Sequence, residues 1–379
     1  MDKILYIPHR NINAYGSGQR TDLLMRALCE KYQVDVVLPF EKDEVPDSPN
    51  ENCNFLFYKY LPPVRKKKSI WQIEFYFPKD EYYENICKEL ISKVEYKYVV
   101  VRYLDNVFLY GLENEKNLIV DIDDNPPEKL KTLNRHKLKK RFNYFVKYQI
   151  LNYYVNRFVK NKPLHSFFSN SEQAVFTNSS SLPNIPYPFL KNVAIEPVPI
   201  NERKQNIIFV GFMRYLPNYQ GIEYFITHVW EKIKKQVPDA ELKIIGKEMP
   251  DKLQDYISSF SDVKYLGFVE DLYAEYSHCK AIIIPIYSGA GTNIKMLEGM
   301  KTGRPCIISK FASRGFQQDL VDGENVLIAK DDDDFAEKVV KILVDNDLNE
   351  KIGEKGKTTI EKKYSFDYFK NCIYKNLKI

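Results

Sequence analysis

Ala281-Ile-Ile-Ile-Pro-Ile-Tyr-Ser-Gly-Ala-Gly-Thr-Asn-Ile-Lys-Met-Leu-Glu-Gly-Met-Lys-Thr-Gly-Arg-Pro-Cys-Ile-Ile-Ser309 is the stretch around which the chain is organised. Its opening run, Ala281 to Ile286, is short and continuously apolar, the pattern of a strand buried on both faces of a parallel sheet. Gly289, Ala290 and Gly291 follow as a tight turn of small residues. Thr292 or Asn293 then caps a helix running to about Thr302, with Gly303 placed to end it, and Cys306 to Ile308 forms a second strand. A helix that starts from a glycine turn after a parallel strand directs its free amides at the carboxyl edge of the sheet, where anions bind. Lys295 and Glu298 share a face of this helix. Lys295 is suited to neutralising a phosphate, and Glu298 to accepting hydrogen bonds from two ribose hydroxyls. An ordinary βαβ unit with surface charges fits this stretch equally well when it is taken alone.

The rest of the chain sets the bounds. At 379 residues it exceeds the size at which one core keeps growing, so two domains are expected. A hydrophobic share of 44% is ordinary for a globular protein, whereas 28 Tyr and 23 Phe are many. A net charge of +5 does not call for nucleic acid. The six cysteines have no paired spacing and read as reduced, buried thiols of a cytoplasmic protein. The opening residues from Met1 to Pro8 read as a first strand and not as a signal peptide. No run approaches the ~18 apolar residues needed to span a bilayer.

In the N-terminal half, strands are expected at Lys3 to Pro8, Val34 to Pro39, Tyr98 to Arg102, Leu118 to Ile122 and His165 to Phe168. A helix is expected from Thr21 to Lys31, with Leu23, Leu24, Ala27 and Leu28 on one face. Gly16 and Gly18 lie between the first strand and this helix, where a ligand could approach the backbone. Asp121-Ile-Asp-Asp124 places acids at the carboxyl end of a strand, which suits either ligand binding or an Asp-rich turn before Pro126. No metal site is read there, since the nearby His136 falls in a basic helix. From Lys129 to Lys162 the chain carries eleven basic residues and no acid, interleaved with seven tyrosines and phenylalanines. Lys66-Lys-Lys68 beside Trp71, Phe75, Tyr76 and Phe77 repeats the mixture. Such a stretch suits an anionic membrane surface, a solvated helix with its aromatics turned inward, or nucleic acid.

The C-terminal half alternates strands at Asn206 to Gly211, Leu242 to Gly246 and Val263 to Gly267 with helices at Gly221 to Val237, from Asp271, and at Asp334 to Val344. Glu196 to Gln205 reads as a linker. The whole is an α/β chain of two doubly wound, Rossmann-like domains facing a cleft.

Four segments in order give a resemblance: Phe209-Val-Gly-Phe-Met-Arg-Tyr-Leu-Pro-Asn218, Leu242-Lys-Ile-Ile-Gly-Lys247, Tyr265-Leu-Gly-Phe-Val-Glu-Asp271 and Gly289-Ala-Gly-Thr-Asn-Ile-Lys-Met-Leu-Glu-Gly-Met300. Together with Gly323-Glu-Asn-Val-Leu327 and Lys363-Tyr-Ser-Phe366, they resemble the donor domain of retaining GT-B glycosyltransferases of the group 1, or family 4, type. The resemblance is close over residues 206 to 366 and loose before them. It implies an acceptor-side domain over 1–200, a donor domain over 201–365, and a last helix, about 366–379, that crosses back to the first domain.

The resemblance also implies a nucleotide-sugar donor, with Glu298 on the ribose, Phe268 and Val269 at the base, and Gly289, Gly291, Thr292 and Asn293 facing the diphosphate and sugar. Gly16, Gly18, Arg214 and Asn218 complete the expected donor contacts. Lys295 and Asp123 are the expected catalytic residues. Three positions depart from the family pattern. Ala290 stands where a second Glu is common. Phe212, Met213 and Asn218, with Arg214 displaced, stand where an Arg and a Lys clamp the diphosphate. Asp121-Ile-Asp123 stands where a histidine often follows the strand. The activity implied is retaining transfer of a hexose to an acceptor such as a growing, lipid-linked bacterial surface glycan. It needs no metal or other cofactor and no nucleic acid, and the protein is expected to be cytoplasmic, docked on the inner membrane face through 129–162. A sugar-nucleotide epimerase and a non-catalytic nucleotide-sugar binding module share this architecture and stay open.

Overall fold

The computed structural model describes residues 1–9, 17–39, 48–63, 68–133, 141–186, 198–289 and 292–377. Gly16, Ala290, Gly291 and the basic run 134–140 therefore lie outside the described residues, as do Lys66 and Lys67. The chain divides into two units, Met1–Tyr187 with Phe369–Ile379, and Pro188–Tyr368. The division comes ahead of the 200/201 boundary drawn from the sequence.

Each unit is built on a wholly parallel sheet. In chain order the first unit's strands are β1 (Lys3–Ile7), β2 (Gln33–Leu38), β3 (Cys53–Phe57), β4 (Tyr98–Arg102), β5 (Leu118–Asp123), β6 (His165–Phe168) and β7 (Ser179–Ser181). They lie in the order β3-β2-β1-β4-β5-β6-β7. The second unit has β8 (Lys204–Val210), β9 (Glu241–Ile245), β10 (Val263–Gly267), β11 (Cys279–Ile284), β12 (Cys306–Ser309) and β13 (Leu327–Ala329), in the order β10-β9-β8-β11-β12-β13. Strand order reverses between β1 and β4, and again between β8 and β11. The carboxyl end of such a reversal is where this architecture opens a binding crevice.

The central strands form because they are apolar throughout. Ile4 to Ile7 and Ala281 to Ile284 have no exposed surface at all, as a strand covered by helices on both sides requires. Edge strands β3 and β7 are only half-buried, and β7 is three serines. The helix after β1 spans Ser17–Cys29, beginning ahead of the Thr21 expected from its apolar face. Residues 216–234 form a continuous helical run with a π turn at Ile226–Trp230, not a regular helix from Gly221. β11 ends at Ile284 and not at Ile286, because Pro285 has no amide to give the ladder. The six cysteines are free thiols; Cys53 and Cys372 are half-buried and the other four buried.

The terminal helix, Phe366–Asn376, belongs to the first unit from Phe369 onward. Within that unit the Tyr374 hydroxyl donates to the Ala27 carbonyl at 2.8 Å, and Lys370 pairs with Glu30 at 2.9 Å.

The ends of β4 and β5 hold a buried charge network. Arg20 donates from Nε and Nη2 to the Asp121 carboxylate at 2.9 and 2.6 Å. Arg102 pairs with the same carboxylate and, through Nη2, with Asp123 at 2.9 Å. Arg20, Arg102 and Asp121 are essentially inaccessible to solvent, so each charge depends on its neighbours for the solvation it has lost. Arg102→Met should therefore destabilise the protein by about 3–5 kcal/mol. Lys93→Met, which breaks the solvent-exposed Lys93–Glu89 helix pair, should cost less than about 1 kcal/mol. Urea unfolding of both variants checks this; equal shifts would contradict the role given to Arg102.

Candidate active site

The helix that follows β11 spans Ile294–Lys301 and packs directly on that strand. A Cβ at Gly299 would lie 2.2 Å from Ile282 Cδ1, so a larger residue there would have to turn the Ile282 side chain aside. At its start, Asn293 occupies the cap position without capping. Its side-chain amide instead donates to the Ala312 carbonyl at 3.1 Å, which ties the helix start to the loop after β12. Of the two expected caps, Thr292 and Asn293, Asn293 serves as a tether, and the Ile294 and Met296 amides donate to the Thr292 and Asn293 carbonyls at 3.1 and 3.0 Å. Gly289, just before, has φ of +108°, and a Cβ there would meet Pro217 and the Tyr215 hydroxyl at 2.8 Å. Its carbonyl accepts from Arg314 Nη2 at 3.0 Å, and that guanidinium stacks 3.5 Å from the Phe311 ring centre.

Lys295 points back over the end of β8. Its Nζ donates to Asn218 Oδ1 at 2.7 Å and lies 4.7 Å from the Phe209 ring centre. Asn218, itself buried, donates from Nδ2 to the Phe212 carbonyl at 2.9 Å. One amide side chain thus fixes both the lysine and the loop after β8. Glu298 stands one turn along the helix from Lys295. Both side chains keep some access to solvent, but the surrounding protein dominates their chemistry. Burial lowers the Lys295 ammonium to about 7 and raises the Glu298 carboxyl to about 7, each shift partly offset by attraction to the other. Among the described residues the buried Tyr273 hydroxyl has no hydrogen-bond partner, and the charge of Glu298 acts on it.

Other expected contacts are placed around this centre. Thr292 precedes the helix and is half-buried. Phe268, more than half exposed, and Val269 follow β10, with Lys247 Nζ 4.2 Å from the Phe268 ring centre. Arg214 does not join the cluster: it is exposed and pairs with Glu248 at 3.2 Å. Gly18 and Asp123 belong to the first unit. Gly18 is buried in the first turn of its helix. The Asp123 carboxylate accepts from Arg102, from Tyr103 Oη at 3.3 Å and from Asn184 Nδ2 at 3.2 Å. Beside it, at the carboxyl end of the first sheet, lies a pocket of about 460 Å³ whose lining includes Tyr60, Tyr103, Tyr110, Asp105, Asn106 and Asp124. Arg314, Tyr273 and the pocket tyrosines had not been singled out in the sequence. Their positions lie far apart in the chain or on helices, with no motif spacing to mark them.

The two shifted groups give a pH signature. Between the ordinary Glu value of 4.5 and about 7, the folded protein holds the Glu298 proton that the unfolded chain has lost, so stability falls as pH rises. Between about 7 and 10.5, the unfolded chain holds the Lys295 proton that the folded protein has lost, so stability recovers. The pair's contribution is therefore lowest near pH 7. The melting temperature of the native protein minus that of Lys295→Met/Glu298→Gln, followed from pH 5 to 9, should dip near neutrality. A flat difference would contradict these shifts.

Residues 204–345 match the family model for glycosyl transferases group 1. An uncharacterized 44.6 kDa protein in the cps region of Klebsiella pneumoniae is 27% identical over 143 residues, 36% of each chain. The matches span less than half the length of the curated relatives. Sucrose-phosphate synthase from Thermosynechococcus elongatus superposes with a TM-score of 0.71 at 16% identity, covering 100% of this chain and 98% of that one. Anabaena HepE in complex with UDP and glucose superposes with a TM-score of 0.62 at 13% identity, covering all of both chains. The two parallel sheets are those of the GT-B fold, and residues 204–345 are similar to group 1 glycosyltransferases.

Proposed function

We propose that this chain is a retaining glycosyltransferase that takes a hexose from a nucleotide-sugar donor held by its second unit. The observation that carries the reading is the placement of Lys295 and Glu298 on one helix that follows β11. A cation and the positive end of a helix dipole are what a leaving diphosphate needs, and a carboxylate one turn on suits ribose hydroxyls. HepE was solved with UDP and glucose, which supports the same ligand class here.

In this reading the diphosphate draws a proton onto Lys295, whose ordinary charge burial has weakened, and the ribose hydroxyls favour the ionised form of Glu298. Asn218 keeps the ammonium aimed, and Arg314 fixes the glycine turn through the Gly289 carbonyl. Phe268 and Val269 present an edge for the base. The bond from the anomeric carbon to the diphosphate oxygen breaks while the acceptor oxygen bonds to that carbon on the same face. The acceptor hydroxyl's proton passes to the departing diphosphate, so no strong protein base and no metal ion enter the scheme. Asp123, whose carboxylate is already engaged by Arg102, Tyr103 and Asn184, takes a positioning role in place of the catalytic one expected of it. The tyrosine-rich pocket of the first unit suits the faces and hydroxyls of an acceptor sugar. The Klebsiella relative from a cps region supports a surface glycan as that acceptor.

Glu298→Gln should weaken nucleoside diphosphate binding at least about tenfold, the scale of one hydrogen bond to a charged group. Lys295→Met should lower turnover by roughly 100-fold or more with a smaller change in KM, because the diphosphate charge develops in the transition state. Calorimetry and steady-state kinetics against a panel of nucleotide sugars check both. Unchanged affinity in the first variant, or a change confined to KM in the second, would remove that residue's assigned role.

A further inference from the structure

The first unit carries an aromatic surface that the donor site does not use. The helix Arg141–Asn161 buries Ile150, Leu151, Val155, Phe158 and Val159 against the core. Its opposite side also carries rings. Phe142 is 80% exposed, Phe145 55% and Tyr153 57%, at the spacing of one outward helical face. The segment before the pocket joins this face. Tyr154 Oη donates to the Trp71 carbonyl at 2.5 Å, and Tyr76 Oη to the Lys147 carbonyl at 3.4 Å. These bonds seat Trp71, 64% exposed, and Phe75, 39% exposed, beside the helix.

Cations are interleaved with the rings. Lys147 Nζ lies 5.1 Å from the Phe75 ring centre, Arg157 donates to the Tyr153 hydroxyl at 2.9 Å, and Lys160 and Lys162 are exposed. Residues 129–162 contain no acid, and residues 68–78 contain one, Glu74. Large exposed rings on a soluble surface cost hydration free energy unless something covers them. Rings at the level of basic side chains match the boundary of a bilayer, where rings enter the acyl edge and ammonium groups meet lipid phosphates. Among the described residues, no helix is long and apolar enough to cross a membrane.

We infer that the face formed by Trp71, Phe75, Phe142, Phe145 and Tyr153 docks this protein on the surface of an anionic bilayer. The inference stands apart from the donor site, and either can fail alone. Docking here would bring the pocket-bearing unit to lipid-linked acceptors.

The chain has two tryptophans, and Trp230 is fully buried, so Trp71 reports on this face. In 50 mM salt, vesicles of phosphatidylglycerol and phosphatidylcholine should shift Trp71 emission to the blue and protect it from acrylamide, whereas phosphatidylcholine alone should not. Raising salt to 500 mM should weaken partitioning at least about fivefold. Phe142→Ser/Phe145→Ser should weaken it about tenfold or more, with the melting temperature and donor turnover unchanged. The shift should be absent in Trp71→Phe, which still sediments with the vesicles. No shift with either vesicle, equal binding to both, or full binding by the double serine variant would overturn the proposal. So would a blue shift that grows with protein concentration without lipid, since a second copy would then be what covers the rings.

Discussion

Desolvation of two opposite charges on one short helix is the constraint on which the second unit turns. Lys295 and Glu298 sit where protein packing disfavours both ionised forms, and their mutual attraction recovers only part of that loss. Close packing accompanies the situation: Gly299 lies against Ile282, and Asn218 holds the ammonium over Phe209. Among the described residues no ion pair joins the two groups. A ligand offering a diphosphate to one and hydroxyls to the other would replace the lost solvation at both.

The first unit handles charge at the equivalent sheet edge differently. Arg20, Asp121, Arg102 and Asp123 pair their charges with one another. Such a network fixes the ends of β4 and β5 and leaves little for chemistry. The first unit thus pairs its buried charges at the sheet edge, whereas the second leaves Lys295 and Glu298 without an ion pair among the described residues. A pocket of tyrosines and acids lies beside that network.

Much of this was legible in the sequence because burial on both faces forces continuous apolar runs. Lys3 to Pro8, Tyr98 to Arg102 and Ala281 to Ile286 announced central strands that the structure contains. Cys53–Phe57 and Ser179–Ser181 gave no such signal, since edge strands need cover on fewer sides and three serines carry little β preference. The helices Asp251–Ser258 and Asn346–Lys363 also escaped notice; the second holds only five buried residues in its length. At the site, helical spacing brought Lys295 and Glu298 together correctly. Spacing could not show that Asn293 would turn to Ala312 instead of capping, that Arg214 would turn to Glu248, or that Arg314 would hold the Gly289 carbonyl. Those outcomes depend on loops meeting in space. The outward rings of Phe142 and Phe145 are likewise a result of which side of the helix the core claims.

Proton exchange on ligand binding tests the central claim most directly. Titrating a nucleoside diphosphate into the protein by calorimetry, in buffers of different ionisation enthalpy, counts the protons taken up or released. With both groups near 7 when empty, a diphosphate that charges Lys295 should draw up close to one proton per site at pH 8. Ribose contacts that ionise Glu298 should release close to one at pH 6. The account predicts this reversal of sign, with the uptake at pH 8 lost in Lys295→Met. Binding with no proton exchange at either pH, or with the same exchange in that variant, would contradict it.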